Sequence, residues 1–184
     1  MNNLPAPDSD ALAHSERLKQ LVLQEISMNA GLLSFSRFME LLLYAPGLGY
    51  YTAGARKFGA AGDFVTSPEM TPLFGQALAR QLAQIMAQSA PLVLEVGAGS
   101  GRLAADVLLA LEQQGALPDE YLILDLSADL RQRQQATIAK AVPHLLARVR
   151  WLDRLPEAFS GVVVANELLD ALPADIVAWR ENGI

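Results

Sequence analysis

The spacing of hydrophobic positions changes from helical to strand-like close to residue 90. Before that point, apolar residues recur every three or four positions, which predicts two amphipathic helices separated near Asn29 and a third that ends before Pro91. The residues that carry this period are Leu18, Leu21, Val22, Ile26, Phe35, Phe38, Met39, Leu42, Leu43, Leu78, Leu82, Ile85 and Met86. We therefore predict a helical N-terminal extension over residues 15–90, preceded by a polar, flexible leader over residues 1–14.

Beyond Pro91, short apolar runs alternate with helical stretches. The predicted strands are Leu92–Val96, Tyr121–Leu126, Val149–Leu152 and Val162–Ala165, and the predicted helices are Leu103–Gln114 and Ala128–Val142. Strands that are apolar on both faces are typical of a parallel sheet covered by helices. We therefore predict a doubly wound, Rossmann-like α/β fold over residues 91–184 with a mostly parallel sheet. Because the predicted strands are few for this architecture, we expect the C-terminal part of the sheet to be missing from this chain.

Residues 45–72, written APGLGYYTAGARKFGAAGDFVTSPEMTP, differ in composition from the segments on either side. They are rich in glycine, proline and aromatic residues and carry no sustained period. Loops of this length in compact domains are usually functional or disordered, and the aromatic residues favour an ordered loop. We therefore predict a functional loop at this position.

The composition and net charge of the chain disfavour several classes of binding partner. The chain has 20 acidic and 14 basic residues, and its net charge of -6 disfavours nucleic acid and anionic lipid surfaces. It has no cysteine and only two histidines, His14 and His144, so we predict no metal site. No apolar run approaches the ~20 residues that span a bilayer, and the first residues lack the basic character of a signal or transit peptide. We predict a cytoplasmic protein without membrane insertion.

A glycine-rich turn, LVLEVGAGSG, joins the first predicted strand to the helix that follows it. Such a turn at a helix N-terminus is a candidate anion or nucleotide site. The phosphate loop requires Gly-Lys at positions 102–103, which this chain lacks, so that interpretation fails. The dinucleotide fingerprint requires a glycine at position 102, where this chain has Arg102, so a dinucleotide site is disfavoured without being excluded.

Acidic and amide side chains stand at or just after the ends of the other predicted strands. Asp125, at the end of the second strand, can accept two hydrogen bonds from the vicinal hydroxyls of a ribose, which favours a nucleoside without choosing the cofactor. Asp153 follows the third strand and is a candidate for contact with adenine. Asn166, Glu167 and Asp170 follow the fourth strand, at the sheet edge where open α/β sheets bind ligands, although a solvated helix start would also be acidic.

The spacing Glu95-x-Gly97-x-Gly99-x-Gly101 resembles motif I of class I S-adenosylmethionine-dependent methyltransferases. Three further segments, YAPGLGYY, GDFVTSPE (residues 62–69) and NELLDALP (residues 166–173), stand in an order around it that resembles the MidA family. That family comprises bacterial and mitochondrial methyltransferases related to a complex I assembly factor. The resemblance implies a class I fold, S-adenosylmethionine as the cofactor and a protein substrate, with arginine on a respiratory complex subunit as the acceptor in mitochondrial members.

The resemblance also implies roles for individual residues. The residues expected to cap the cofactor are Gly62, Asp63, Thr66, Ser67 and Glu69, and those expected to line it from below are Glu95, Gly97, Ala98, Gly99 and Gly101. Asp125, with Leu126 beside it, is expected to hold the ribose, and Asp153 to lie near adenine. Asn166 and Glu167 are expected to face the methyl donor or the acceptor.

The predicted catalytic residues are Glu167, Asn166 and Asp170. A carboxylate can pair bidentately with a guanidinium, orient it and take up its proton, and Glu167 is the first candidate, with Asp170 and Glu69 behind it. Two other functions stay open at this point. One is a non-catalytic assembly scaffold that binds the same cofactor, and the other is an NAD-dependent oxidoreductase. Because family members continue past Ile184, we expect little turnover from this chain alone.

Overall fold

The computed structural model of the chain describes residues 6–53 and 65–181. These residues form two compact units. One unit contains residues 6–53 and 169–181, and the other contains residues 65–168.

Two helices form most of the first unit. Helix α1 spans Ser9–Met28 and helix α2 spans Phe35–Tyr44, with a turn over residues 29–31 between them, as the apolar period predicted. The side chain of Ser34 caps α2 by accepting a hydrogen bond from the N–H of Arg37. The 3-10 helix Leu169–Ala171 belongs to the same unit, and the Tyr44 hydroxyl donates to the carbonyl oxygen of Ala171 at 2.7 Å.

The predicted flexible leader over residues 1–14 is wrong for residues 9–14, which are helical. Helix α1 begins at Ser9, because the Asp8 carboxylate accepts a hydrogen bond from the N–H of Ala11 at 2.8 Å and so caps the first turn. Farther along the helix, Nε2 of His14 lies 2.8 Å from the carbonyl oxygen of Leu48. The polar residues that suggested a leader are the exposed residues of a helix start.

The second unit contains a four-stranded parallel sheet. Its strands are β1 Leu92–Val96, β2 Glu120–Leu124, β3 Val149–Leu152 and β4 Val162–Val164, in the spatial order β3-β2-β1-β4. The chain moves outward from β1 to β3 and then returns to the other side of β1, so the order reverses between β1 and β4. Ligands of such sheets bind outside the carboxyl ends of the strands at this switch point. The predicted Rossmann-like, parallel fold is confirmed.

Four α-helices belong to the second unit: α3 Ser67–Met70, α4 Pro72–Met86, α5 Arg102–Gln113 and α6 Ala128–Ala141. A 3-10 helix, Pro143–Arg148, leads into β3. Helix α4 packs closely on α5, because Gly75 faces Asp106 and an added Cβ would lie 2.7 Å from that residue's Cβ. Helix α4 thus belongs to the sheet unit, whereas the predicted division at residue 90 assigned it to the N-terminal extension.

Two strands end earlier than the sequence predicted. Strand β2 ends at Leu124, so Asp125 and Leu126 lie in the connection to α6, and β4 ends at Val164. The β1 and β2 strands are buried along their middle residues, with Val93, Tyr121 and Ile123 inaccessible to solvent. Within residues 6–53 and 65–181, no helix combines the length and apolar character needed to span a membrane.

Candidate cofactor site

The glycine turn follows β1 at the carboxyl edge of the sheet. Gly97, Gly99 and Gly101 have φ values of 74°, 54° and 82°, in the left-handed region that favours glycine. The N–H of Gly97 donates to the carbonyl oxygen of Leu124 at 2.9 Å, which fixes the turn to the end of β2. Helix α5 begins directly after the turn, with Gly101 as its N-cap and no side-chain cap.

Gly101 has a packing role that the sequence did not reveal. It is buried, and an added Cβ would lie 2.7 Å from the Cα of Gln134 in α6. The absence of a side chain therefore lets α6 approach the turn. Contact between the cofactor and Gly97, Gly99 and the adjoining Ala98, which is buried, stays a prediction.

Asp125 lies directly after β2 and is 8% exposed. Its Oδ1 accepts a hydrogen bond from the N–H of Ser127 at 3.0 Å, and its Oδ2 accepts one from Nε2 of Gln134 at 2.7 Å. Burial raises the pKa of Asp125, and the hydrogen bonds from Ser127 and Gln134 offset part of that effect. Each carboxylate oxygen has two acceptor positions, and the bonds from Ser127 and Gln134 engage one on each; the backbone N–H of Leu126 also favours the ionised form.

Gln134 links three parts of the site, and the sequence interpretation missed it. The residue is 0% exposed; its Nε2 also donates to the carbonyl oxygen of Gly99 at 3.1 Å, and its Oε1 accepts from Nε1 of Trp151 at 2.9 Å. The signal that could have revealed it is its spacing. Gln134 stands four residues from both Leu130 and Ile138, on the buried face of α6.

Glu95 is buried within β1, with 2% of its surface exposed. Its Oε2 accepts a hydrogen bond from the Tyr121 hydroxyl at 2.8 Å. Burial raises the pKa of Glu95 to about 7, the Tyr121 bond partly opposes this, and the nearby charge of Asp125 adds to it. The predicted contact between Glu95 and a cofactor stays a prediction, and the structure assigns its carboxyl group a protein partner.

The predicted capping segment reaches the glycine turn through Glu69. The hydroxyl of Ser100 donates a hydrogen bond to Oε1 of Glu69 in α3. Thr66 is the N-cap of that short helix and Ser67 is its first residue. Gly62 and Asp63, the other predicted capping residues, lie outside the described residues. Of the predicted functional loop over residues 45–72, Ser67–Met70 form α3, Thr71 caps α4 and Pro72 is the first residue of α4.

Arg131 connects the carboxyl ends of β2 and β3. Its Nε donates to the carbonyl oxygen of Asp125 at 2.8 Å, and its Nη1 lies 2.7 Å from Oδ1 of Asp153. Asp153, the predicted adenine contact, has a side chain that is 91% exposed. Leu126 is also exposed, directly after Asp125. Sequence reasoning missed Arg131, because its partners lie on two separate strand ends.

Asn166 and Glu167 follow β4, on the other side of the switch point from β2. Asn166 is half-buried, and Glu167 is exposed. Glu167 has a φ of 51°, a left-handed conformation that costs a residue with a side chain roughly 1–2 kcal/mol. Backbone strain of this kind clusters at functional sites. The backbone conformation of Glu167 therefore supports its candidacy as a functional residue independently of its charge.

Asp170, the third predicted catalytic residue, lies in the other unit. Burial raises the pKa of Tyr51, and the charge of Asp170 adds to that effect. The ring of Tyr51 stacks on Tyr44, with ring centroids 5.5 Å apart, and meets Tyr50 edge-on at 5.1 Å. Asp170 therefore stands beside the aromatic residues of the YAPGLGYY segment.

The chemistry of these groups fits a nucleoside cofactor without a phosphate at the turn. Asp125 offers a carboxylate, a group that can accept hydrogen bonds from a diol, and three residues of the turn are glycines. Arg102, the basic residue at the turn, is held by Asp106, with Nε 2.7 Å from Oδ2. A pyrophosphate would have to compete with that carboxylate for the guanidinium.

Comparison with known proteins identifies the family. Residues 77–184, more than half of the chain, match a family model described as putative S-adenosyl-L-methionine-dependent methyltransferase. Curated relatives include the mitochondrial protein arginine methyltransferase NDUFAF7 homolog of Drosophila melanogaster, 32% identical over 189 residues, and the human NDUFAF7 protein, 30% identical over 185 residues. The alignments cover 87% and 83% of this chain and 41% and 42% of those relatives.

A crystal structure supports the same assignment. The chain is 54% identical, with a TM-score of 0.87, to a COG1565 superfamily member from Burkholderia thailandensis bound to S-adenosyl-homocysteine. The match covers 93% of this chain and 46% of that one, so the chain spans less than half the length of the proteins it matches. Together with the parallel sheet and the glycine turn, these matches confirm the resemblance drawn from the sequence. The chain belongs to the MidA-like family of class I S-adenosylmethionine-dependent methyltransferases.

Proposed function

We propose that this chain is the cofactor-binding part of an S-adenosylmethionine-dependent methyltransferase that modifies a protein side chain. The observation that carries the proposal is the buried Asp125 carboxylate beside the glycine turn, held there by hydrogen bonds from Ser127 and Gln134. The Burkholderia thailandensis relative, 54% identical, was crystallised with S-adenosyl-homocysteine, the product of such a cofactor.

The chain's own residues would bind and orient the cofactor. Asp125 would accept hydrogen bonds from the ribose hydroxyls, while Gly97 and Gly99 would let the backbone approach the ligand closely. Glu69, held by Ser100, would limit access from the side of α3. The cofactor supplies an electrophilic methyl group. The protein's contribution is alignment and proximity, which is worth on the order of 7–11 kcal/mol in well-oriented reactions.

Glu167 and Asn166 are the proposed residues at the acceptor side. Both follow β4 at the carboxyl edge of the sheet, and the exposed Glu167 carboxylate is accessible to a protein side chain. If the acceptor is an arginine, that carboxylate would pair with the guanidinium and take up the proton lost as the nitrogen attacks. Asp170, which belongs to the other unit, stays a predicted catalytic residue.

The protein substrate and the location are also proposals. Arginine is the first candidate acceptor, because the curated relatives are named protein arginine methyltransferases. A respiratory complex subunit is the proposed substrate, from the MidA resemblance. We propose a cytoplasmic location because the chain has no cysteine, although the curated relatives named here are mitochondrial.

Isothermal titration tests the cofactor assignment directly. We expect heat of binding with S-adenosylmethionine and S-adenosylhomocysteine and none with NAD at the same concentration. Binding of NAD alone would contradict the proposal and restore the oxidoreductase alternative. A full-length protein that binds both sulfur ligands yet transfers no label from isotopically labelled S-adenosylmethionine to proteins of a cell extract would instead support the scaffold alternative.

A further inference from the structure

Gln134 is a fully buried polar residue whose amide nitrogen and oxygen both bond to the protein. Its two amide N–H groups point to two acceptors, the carbonyl oxygen of Gly99 at 3.1 Å and Oδ2 of Asp125 at 2.7 Å. Its oxygen accepts from the indole N–H of Trp151 at 2.9 Å. Both N–H donors are used and the side chain is 0% exposed, so any effect on a ligand must pass through these partners.

The orientation of this amide follows from the chemistry of its neighbours. The indole nitrogen of Trp151 can only donate, so it must face the amide oxygen. The Gly99 carbonyl oxygen can only accept, as can the ionised Asp125 carboxylate, so both must face the amide nitrogen. A flipped amide would break all three bonds, and the side chain therefore has one arrangement.

Packing alone does not account for a glutamine at this position. The other buried side chains of α6, Leu130 and Ile138, are apolar, and burying an amide carries a desolvation cost that its hydrogen bonds must offset. The backbone of Gln134 also packs against the glycine turn, because its Cα occupies the space that a Cβ on residue 101 would need. The amide is thus a fixed group between the glycine turn and Asp125.

We propose that Gln134 is a positioning residue for the cofactor ribose, which orients the Asp125 carboxylate and sets its separation from the Gly99 carbonyl. The Gln134 amide bonds to Oδ2 of Asp125 and the Ser127 N–H bonds to Oδ1. Together these two bonds fix the plane of the carboxylate and so the direction in which it can accept further hydrogen bonds. Trp151 in β3 holds the amide from the far side. The inference rests on the proposed cofactor site.

The test compares two ligands in the 184-residue chain. S-adenosylhomocysteine carries the ribose diol, and its 2′,3′-dideoxy analogue lacks it. In the parent protein we expect the analogue to bind at least about tenfold more weakly, as the loss of hydrogen bonds to a charged group requires. In Gln134→Met, which removes the amide and keeps an unbranched side chain of similar length, we expect that ratio to fall at least about threefold.

If Gln134 only stabilised the fold, Gln134→Met would weaken the binding of both ligands and leave the ratio of their Kd values unchanged. Equal weakening of both ligands in Gln134→Met, with the ratio unchanged, would overturn the inference and leave the cofactor site intact. A parent that binds neither ligand would overturn the proposed function itself, and a parent that binds both equally would remove the ribose role of Asp125. Gln135→Met, the same change at the exposed neighbouring position on α6, is the matched control and is expected to retain the parental ratio.

If Gln134→Met does not fold, an NMR measurement that leaves Gln134 in place tests the same inference. In a Trp179→Phe background, which removes the other tryptophan at an exposed position, the indole N–H of Trp151 gives a single NMR signal. We expect S-adenosylhomocysteine to shift this signal and the dideoxy analogue to shift it at most half as far. Equal shifts with both ligands at saturation would overturn the inference.

Discussion

Replacing the Asp125 carboxylate by an amide, Asp125→Asn, removes an acceptor from the proposed ribose site while preserving the shape of the side chain. In the parent both oxygens accept, one from Ser127 and the other from Gln134. Asparagine has one oxygen, so its NH2 group must face one of these donors or rotate away. Either arrangement leaves the ribose with fewer acceptors and no charge to strengthen the remaining hydrogen bond.

The expected loss is that of one hydrogen bond to a charged group, about 1.5–3 kcal/mol, which corresponds to a roughly 10- to 150-fold higher Kd for S-adenosylhomocysteine. Because burial raises the pKa of Asp125, ionisation of this group opposes folding, and a neutral amide removes that cost. We therefore expect the free energy of unfolding at neutral pH to change less than the binding free energy.

Isothermal titration and urea unfolding of the same samples measure the two effects. Asp119→Asn is the matched control, since Asp119 is exposed at the opposite end of β2 and carries the same charge. A Kd for Asp125→Asn within twofold of the parent would refute the reasoning, as would an equal loss in the control.

Three further predictions concern stability and transfer. Burial raises the pKa of Glu95 from 4.5 to about 7, so the folded protein favours the protonated carboxyl group. The stability that this protonated group contributes is fully present below pH 4.5 and is lost as the pH rises to about 7. Urea unfolding should therefore show Glu95→Gln gaining stability relative to the parent between pH 5 and pH 8, by up to about 3 kcal/mol. Gly101→Ala puts a side chain on a left-handed backbone and places its Cβ 2.7 Å from the Cα of Gln134. Thermal unfolding should show a free energy of unfolding about 2–4 kcal/mol lower than that of the parent. Gly115→Ala, with a φ of 63° and open space around the added Cβ, should lose only about 1–2 kcal/mol. In a full-length enzyme, Glu167→Gln should bind S-adenosylhomocysteine within twofold of the unaltered enzyme and transfer at least about tenfold less labelled methyl to extract proteins.

Each of these has an outcome that contradicts it. A stability difference between Glu95→Gln and the parent that does not change with pH would show that the carboxyl group titrates normally. Equal losses in the two glycine variants would remove the packing role of Gly101. Unchanged methyl transfer by Glu167→Gln would remove its proposed role at the acceptor.

Features with local signals were predictable from the sequence. The positions of β1 and β3 follow from short apolar runs bounded by turn residues. The capping of α6 by Ser127 follows from a hydroxyl directly before a helical period. Asp125 was found because the residue that follows the second strand of such a sheet has a known place at its carboxyl edge.

Features that depend on contacts between distant residues were not predictable in the same way. Gln134 meets Gly99 across 35 positions of sequence, and Arg131 meets Asp153 across 22. Neither residue belongs to a motif, and a glutamine or arginine within a helix is ordinarily a solvent-facing residue. The start of α1 was missed for a different reason, because the prolines before it suggested a leader and the capping role of Asp8 was overlooked.

A crystal structure of this chain with S-adenosylhomocysteine would show whether Asp125 binds the ribose. We expect both ribose hydroxyl oxygens to lie within about 3.2 Å of the Asp125 carboxylate oxygens, in the usual range for hydrogen bonds, with the Gln134 amide still bonded to Oδ2. A ligand bound elsewhere, or a ribose whose hydroxyls contact neither oxygen of Asp125, would contradict this expectation.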